Sequence, residues 1–141
     1  SPRHLEIELT ENLIIANTEV TLKIMQELKD LGVQISIDDF GTGYSSLGYL
    51  KDFPIDTLKI DKAFICDVAK ETDKAAITNT IIHLAQNLRL NVIAEGVETQ
   101  EQVDFLFSRG CYLMQGYFFS PPIRSEEMAK KFLRDKKTLF I

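Results

Sequence analysis

Residues 33–43, Val33-Gln-Ile-Ser-Ile-Asp-Asp-Phe-Gly-Thr-Gly43, decide the fold. Val33, Ile35 and Ile37 alternate with Gln34, Ser36 and Asp38, which predicts a strand over 33–40 with one apolar face and one polar face. The polar face ends in carboxylates where a Gly-rich turn begins. The same phase recurs in strand 4–9, where Leu5, Ile7 and Leu9 oppose Glu6 and Glu8. Strands over 57–61, 91–97 and 112–119 carry Lys59, Glu95 and Gln115 in that phase. Polar groups at the carboxyl ends of successive strands are what a (β/α) barrel uses for catalysis, so the apolar faces should meet helices and the polar faces line the interior.

Helical patterns separate the strands. Asn17 is placed to cap a helix whose Val20, Ile24, Leu28 and Leu31 repeat at helical spacing, with Gly32 as the C′ residue. A Gly-rich turn and one short helix are expected between Gly41 and Pro54, and Asp73 should open a helix carrying Ile77, Ile81, Leu84 and Leu88. Thr99 with Gln102 forms a capping-box pattern closed by Gly110, and Ser125 should cap the last helix after Pro121-Pro122.

The 141 residues, 45% hydrophobic and 26% charged, suffice for one globular domain or part of one. Sixteen basic against 21 acidic residues give a net charge of −5, which argues against DNA or RNA held on a basic face. An anionic ligand would need metal ions or a local cation. Cys66 and Cys111 are too few and too separated for a disulfide framework, so reduced thiols and a cytoplasmic location are expected. No apolar run approaches the roughly 18 residues of a membrane span, and no direct membrane contact is expected from this chain, although a longer parent could be membrane-anchored.

Asp38 and Asp39 repel each other by roughly 1–4 kcal/mol at about 4 Å, so a cation or ammonium should stand nearby. Hard divalent cations take such oxygen ligands, with Lys59 as the ammonium and Glu8 as a third carboxylate. An Asx-type turn into the Gly-rich loop is the alternative role for Asp39. Gly41, Gly43 and Gly48 do not fit GxGxxG and no GKS/T follows, so the loop is expected to place Asp39 rather than to cradle phosphate. His4 and His83 lack a second ligand at metal spacing and are expected to be structural, as are Phe118 and Phe119 through barrel packing.

In order, Glu8-Leu-Thr-Glu11, Asp38-Asp-Phe-Gly-Thr-Gly-Tyr-Ser-Ser-Leu47, Leu58-Lys-Ile-Asp61, Glu95-Gly-Val-Glu98 and Gln115-Gly-Tyr117 resemble the EAL domains of bacterial cyclic di-GMP signalling. The resemblance covers essentially the whole chain. It implies a modified TIM barrel that hydrolyses cyclic di-GMP to linear pGpG with Mg²⁺ or Mn²⁺. It further implies Glu8, Asp38 and Asp39 as metal ligands and Lys59 as the group that positions the attacking water. Glu95 would assist at the metal-water centre as a candidate base, and Gln115 would hold water or metal. Glu11 would anchor the loop containing Gly41, Thr42 and Gly43, with Glu98 as an outer support.

The Glu-Ala-Leu tripeptide that names the family is absent, as is an upstream Asn ligand. A complete barrel needs roughly 250 residues. Residues 1–141 are therefore expected to be the C-terminal part, about five βα units, of such an α/β domain, lacking its N-terminal strands and EAL motif. Alone it is expected to be inactive and to pair through its exposed strand edges, 4–9 and 112–119, with a second copy or an upstream segment. The parent is expected to carry an upstream GGDEF or sensor domain. The alternative is a non-catalytic module that binds cyclic di-GMP or a protein partner.

Overall fold

A computed structural model describes residues 1–11, 13, 18–42 and 50–133. After a 3₁₀ turn at Pro2–His4, the order is β1 (Glu6–Thr10), α1 (Thr18–Asp30), β2 (Gln34–Phe40), β3 (Thr57–Ile60), α2 (Lys62–Ile65), α3 (Thr72–Asn87), β4 (Asn91–Ala94), α4 (Gln100–Ser108), β5 (Leu113–Met114) and α5 (Ser125–Met128), which runs into a π turn at Ala129–Leu133. The five strands form one parallel sheet in sequence order. This is the α/β arrangement expected for part of a barrel, with each strand beside the next.

Register aligns the apolar phase. Leu9 pairs with Ile37, Ile37 with Leu58, and Leu58 with Val92, so one row of aliphatic side chains crosses four strands. Ile35, Ile37, Leu58 and Val92 are buried with Met25 of α1, Ile82 and Ala85 of α3 and Leu106 of α4. That layer fixes the sheet to its helices and leaves the other face to Ser36, Thr57 and Lys59, also buried.

The helix stops behave as predicted: Gly32 and Gly110 follow α1 and α4 with φ of +88° and +78°, a region that costs a side chain but not glycine. The Thr99–Gln102 box forms in both directions. The Asn17 cap and most of the expected short helix before Pro54 lie outside the described residues. Other expectations need correction. Val20, Ile24 and Leu31 are exposed, and α1 turns Met25 inward with Leu22 and Leu28 beside it. The helix has two apolar stripes, and the sheet takes the one containing Met25. Likewise Ile77 is exposed while Thr78, Ile81, Ile82 and Ala85 face the core.

Asp73 does not cap α3. Glu71 holds the N-cap position and Asp73 stands in the first turn, where its charge favours the helix dipole. Ser125 is the first residue of α5, behind Arg124, and gives no side-chain cap. The strand expected over 112–119 shrinks to Leu113–Met114, because the chain turns after Gly116, where Phe119 and Ser120 N–H groups bond the Gly116 carbonyl. Phe118 and Phe119 are each 40% exposed and meet edge to face at 5.2 Å, packing on each other and not into the core. Among the described residues no helix is long and apolar enough to cross a membrane.

Candidate functional site

Lys59 leaves β3 on the inner face of the sheet and joins three strands. Its Nζ lies 2.7 Å from Glu8 Oε1 of β1, 2.7 Å from Glu95 Oε1 just past β4, and 3.4 Å from Asp38 Oδ1 of β2. The residue is only 6% exposed. Burial by itself would lower the ammonium, but hydrogen bonds to Glu8 and Glu95, with the charges of Glu95 and Asp38, hold it above its ordinary value. Lys59 is thus charged at neutral pH, a fixed cation rather than a proton acceptor.

Asp38 Oδ1 is buried and takes no hydrogen bond from the described residues, although it is an ion-pair partner of Lys59. The two facts agree: the charges attract across 3.4 Å without the alignment of a hydrogen bond. Asp38, Asp39 and Glu95 each offer one carboxylate oxygen, all within 4.8 Å of one another. Three hard donors at that spacing fit a divalent cation, and Asp38 also carries a buried oxygen without a hydrogen bond. A bound cation would replace mutual repulsion by attraction.

Asp39 shows what that repulsion does. A side-chain hydrogen bond with Asp61, together with burial and the charges of Asp38, Asp61 and Glu95, holds its carboxyl above the usual carboxylate range. Its backbone has φ of +54°, a costly conformation for a residue with a side chain. Thr42 Oγ donates to the Asp39 carbonyl at 2.8 Å, closing the turn.

Asp61 stands in the Leu58–Asp61 motif but the sequence assigns it no site role. It follows β3, and its Oδ1 accepts the Ala63 N–H at 2.7 Å to cap α2. The available signal was an Asp two positions ahead of a helical N–H. That signal gives the cap but not the contact with Asp39.

The remaining predicted positions divide. Glu8 is held on Lys59, outside the carboxylate trio, whereas Glu95 is within it. Glu11 is buried, and its Oε2 accepts the Gly41 N–H at 3.4 Å; Gly43 lies outside the described residues. Glu98 is exposed and meets the capping Gln102 through its backbone N–H. Gln115 is fixed by its backbone, donating to Ala94 O at 2.8 Å and accepting from Val97 N at 3.0 Å. It lines a cavity of about 600 Å³ with Met114, Tyr117, Phe119, Pro121 and Met128. That cavity lies along β5, and none of Lys59, Asp38, Asp39 or Glu95 lines it. His83 is exposed on α3.

A family model described as EAL domain matches residues 1–122. NbdA of Pseudomonas aeruginosa, named a cyclic di-GMP phosphodiesterase, is 49% identical over 84% of this chain and 15% of that protein. MucR of the same species, named a bifunctional diguanylate cyclase/cyclic di-GMP phosphodiesterase, is 46% identical over 90% of this chain and 18% of that protein. The solved MucR phosphodiesterase in complex with c-di-GMP superposes with a TM-score of 0.86 at 46% identity, covering 90% of this chain and 51% of that one. A manganese/cy-diGMP complex of Klebsiella pneumoniae BlrP1 gives 0.80 at 37% identity, covering 86% and 31%. The chain thus spans less than a fifth of the length of these curated relatives and about half of the solved MucR chain.

Proposed function

The chain belongs to the EAL domain family, and on that footing we propose that it supplies five strands of a site that hydrolyses cyclic di-GMP to linear pGpG with a divalent metal. The observation that carries this is the Lys59 hub, a buried ammonium shared by Glu8, Glu95 and Asp38, beside a carboxylate trio with an oxygen to spare. Support also comes from the relatives named as cyclic di-GMP phosphodiesterases and the neighbours solved with that nucleotide.

In this proposal Asp38, Asp39 and Glu95 would hold a divalent metal, Mg²⁺ or Mn²⁺. Bound there, it would activate water and offset charge on the phosphoryl oxygens. Lys59 stays protonated, offsets negative charge and positions the attacking water through its hold on Glu95 Oε1. Water adds at phosphorus, one P–O ester bond breaks, and the leaving oxygen takes up a proton. Glu95 Oε1, held at 2.7 Å by Lys59, is the candidate to receive the proton from water. Glu11 anchors the loop through Gly41, Gln115 supports water or metal, and Glu98 supports the outer rim.

The activity is assigned to the whole protein. It is placed in the cytoplasm, downstream of a GGDEF or sensor domain, with the edges of β1 and β5 as the places where further strands or a second copy pair. The test is cyclic di-GMP turnover by the whole protein with Mn²⁺, followed by chromatography. Appearance of pGpG that Asp38→Asn removes supports the assignment. Tight binding of cyclic di-GMP without any pGpG would instead assign a receptor role.

A further inference from the structure

Ser36 Oγ and Asp38 Oδ1 are the buried side-chain polar atoms that find no hydrogen-bond partner among the described residues, and they stand two positions apart on the same inner face of β2. The metal proposed above accounts for Asp38 but leaves Ser36 unexplained. Ser36 is wholly buried, and a hydroxyl enclosed without a partner is costly, so this position calls for one.

Register shows which groups surround it. Ser36 is opposite Glu8 of β1 and Thr57 of β3, and Lys59, which holds Glu8, lies two residues beyond Thr57 on the same face. Ser36 and Lys59 are therefore diagonal cross-strand neighbours, about 7–8 Å apart at their backbones. Ser36 Oγ makes no direct bond to Lys59, and a bridging water is the partner that fits. Lys59 has a donor for it: of three N–H groups, two are used at 2.7 Å by Glu8 and Glu95, and the third makes no hydrogen bond with Asp38, whose Oδ1 lies 3.4 Å away. A buried water keeps its place with two to four polar partners, and Lys59, Ser36 and Asp38 make three.

We infer that Ser36 is a positioning residue for Lys59: its hydroxyl holds an ordered water that accepts the third Lys59 N–H and fixes the direction of the ammonium. The inference deepens the phosphodiesterase assignment and rests on it only for its kinetic consequence. Ser36 touches no substrate in this scheme. It acts by stopping Nζ from swinging between carboxylates.

The test uses the whole protein as wild type, Ser36→Ala and Ser36→Thr. High-resolution crystal structures should show a water within hydrogen-bond reach of Ser36 Oγ and Lys59 Nζ, absent in the alanine variant and retained in the threonine variant. The alanine variant should lose about tenfold in kcat, with KM for cyclic di-GMP and calorimetric Mn²⁺ affinity unchanged. The threonine variant, which keeps the hydroxyl, should recover most of that loss. Wild-type kcat in Ser36→Ala overturns the inference, as does density in which Ser36 Oγ bonds a protein group directly. The density comparison is independent of turnover, so an inactive wild type would sink the phosphodiesterase assignment while the hydration site is still judged on density.

Discussion

Glu8 and Lys59 meet at 2.7 Å across a strand that belongs to neither of them. They are 51 residues apart, on β1 and β3, with β2 between. Two strand spacings amount to roughly 10 Å, so the long lysine must reach over the inner face of β2, where Asp38 waits at 3.4 Å. One ammonium thereby ties the ends of β1, β2 and β3 to Glu95 after β4.

Lys59→Met keeps the length and removes the charge. In the whole protein it should lower cyclic di-GMP turnover by roughly 100-fold or more, while Mn²⁺ affinity by calorimetry holds or tightens because a competing cation has gone. Wild-type turnover in this variant would show that Lys59 has no role in the reaction.

Asp38→Asn takes a charge from the trio without changing its size. Turnover should fall by about two to three orders of magnitude, and Mn²⁺ affinity should weaken with it, while the circular dichroism spectrum stays native. The exposed His83→Ala is the control and should leave both rates and spectrum as they were. Loss of activity on changing His83 and none on changing Asp38 would remove the carboxylate site from consideration.

Sequence alternation carries far into this structure because a parallel sheet has one strict period. Ile35 and Ile37 go to the helices while Ser36 and Asp38 go inward, and local signals such as the Thr99–Gln102 box survive unchanged. What is lost is non-local. Val20, Ile24 and Leu31 make as good a stripe as Leu22, Met25 and Leu28, and only the position of the sheet selects between them. The contact of Asp39 with Asp61 depends on how β2 bulges between Ile37 and Phe40 against β3, which no spacing in the chain announces.

The two cysteines should separate by reactivity. Cys111 is wholly buried, and burial pushes its thiol up to about 11, against the opposing backbone bonds near Ala94 and Leu113. Cys66 is exposed beside Asp67. In the folded whole protein at pH 8, a thiol reagent should label Cys66 and spare Cys111 until denaturant is added. The raised value in the fold also sets a pH dependence. Stability from the neutral Cys111 thiol is complete below the ordinary value of 9.0 and is lost as pH climbs from there toward about 11. The difference amounts to about 2–3 kcal/mol, and Cys111→Ala should remove that slope from urea midpoints measured between those limits. Rapid labelling of native Cys111 would contradict its enclosure.

Gly116 and Gly110 should respond differently to alanine, because an added Cβ would meet backbone at the first and a side chain at the second. A Cβ on Gly116 would run into the backbone of Val97, whose N–H bonds Gln115 O at 3.0 Å and whose carbonyl accepts from Phe118 at 3.0 Å. Backbone cannot step aside as a side chain can, so Gly116→Ala must displace the Gln115–Phe118 turn. It should cost roughly 1–3 kcal/mol and, by moving Gln115 away from the strand ends, reduce turnover as well. At Gly110 the added carbon would meet Gln86 Nε2 at 2.8 Å, the far end of a flexible side chain that can swing away. There the left-handed backbone resists for about 1 kcal/mol, and the exposed Gln86 bond to the Arg109 carbonyl is released, at the C-terminal end of α4. Urea midpoints and turnover of the two variants should therefore diverge, with activity lost at Gly116 and kept at Gly110. Equal turnover in both would show that the close approach of Gly116 to Val97 has no bearing on the site.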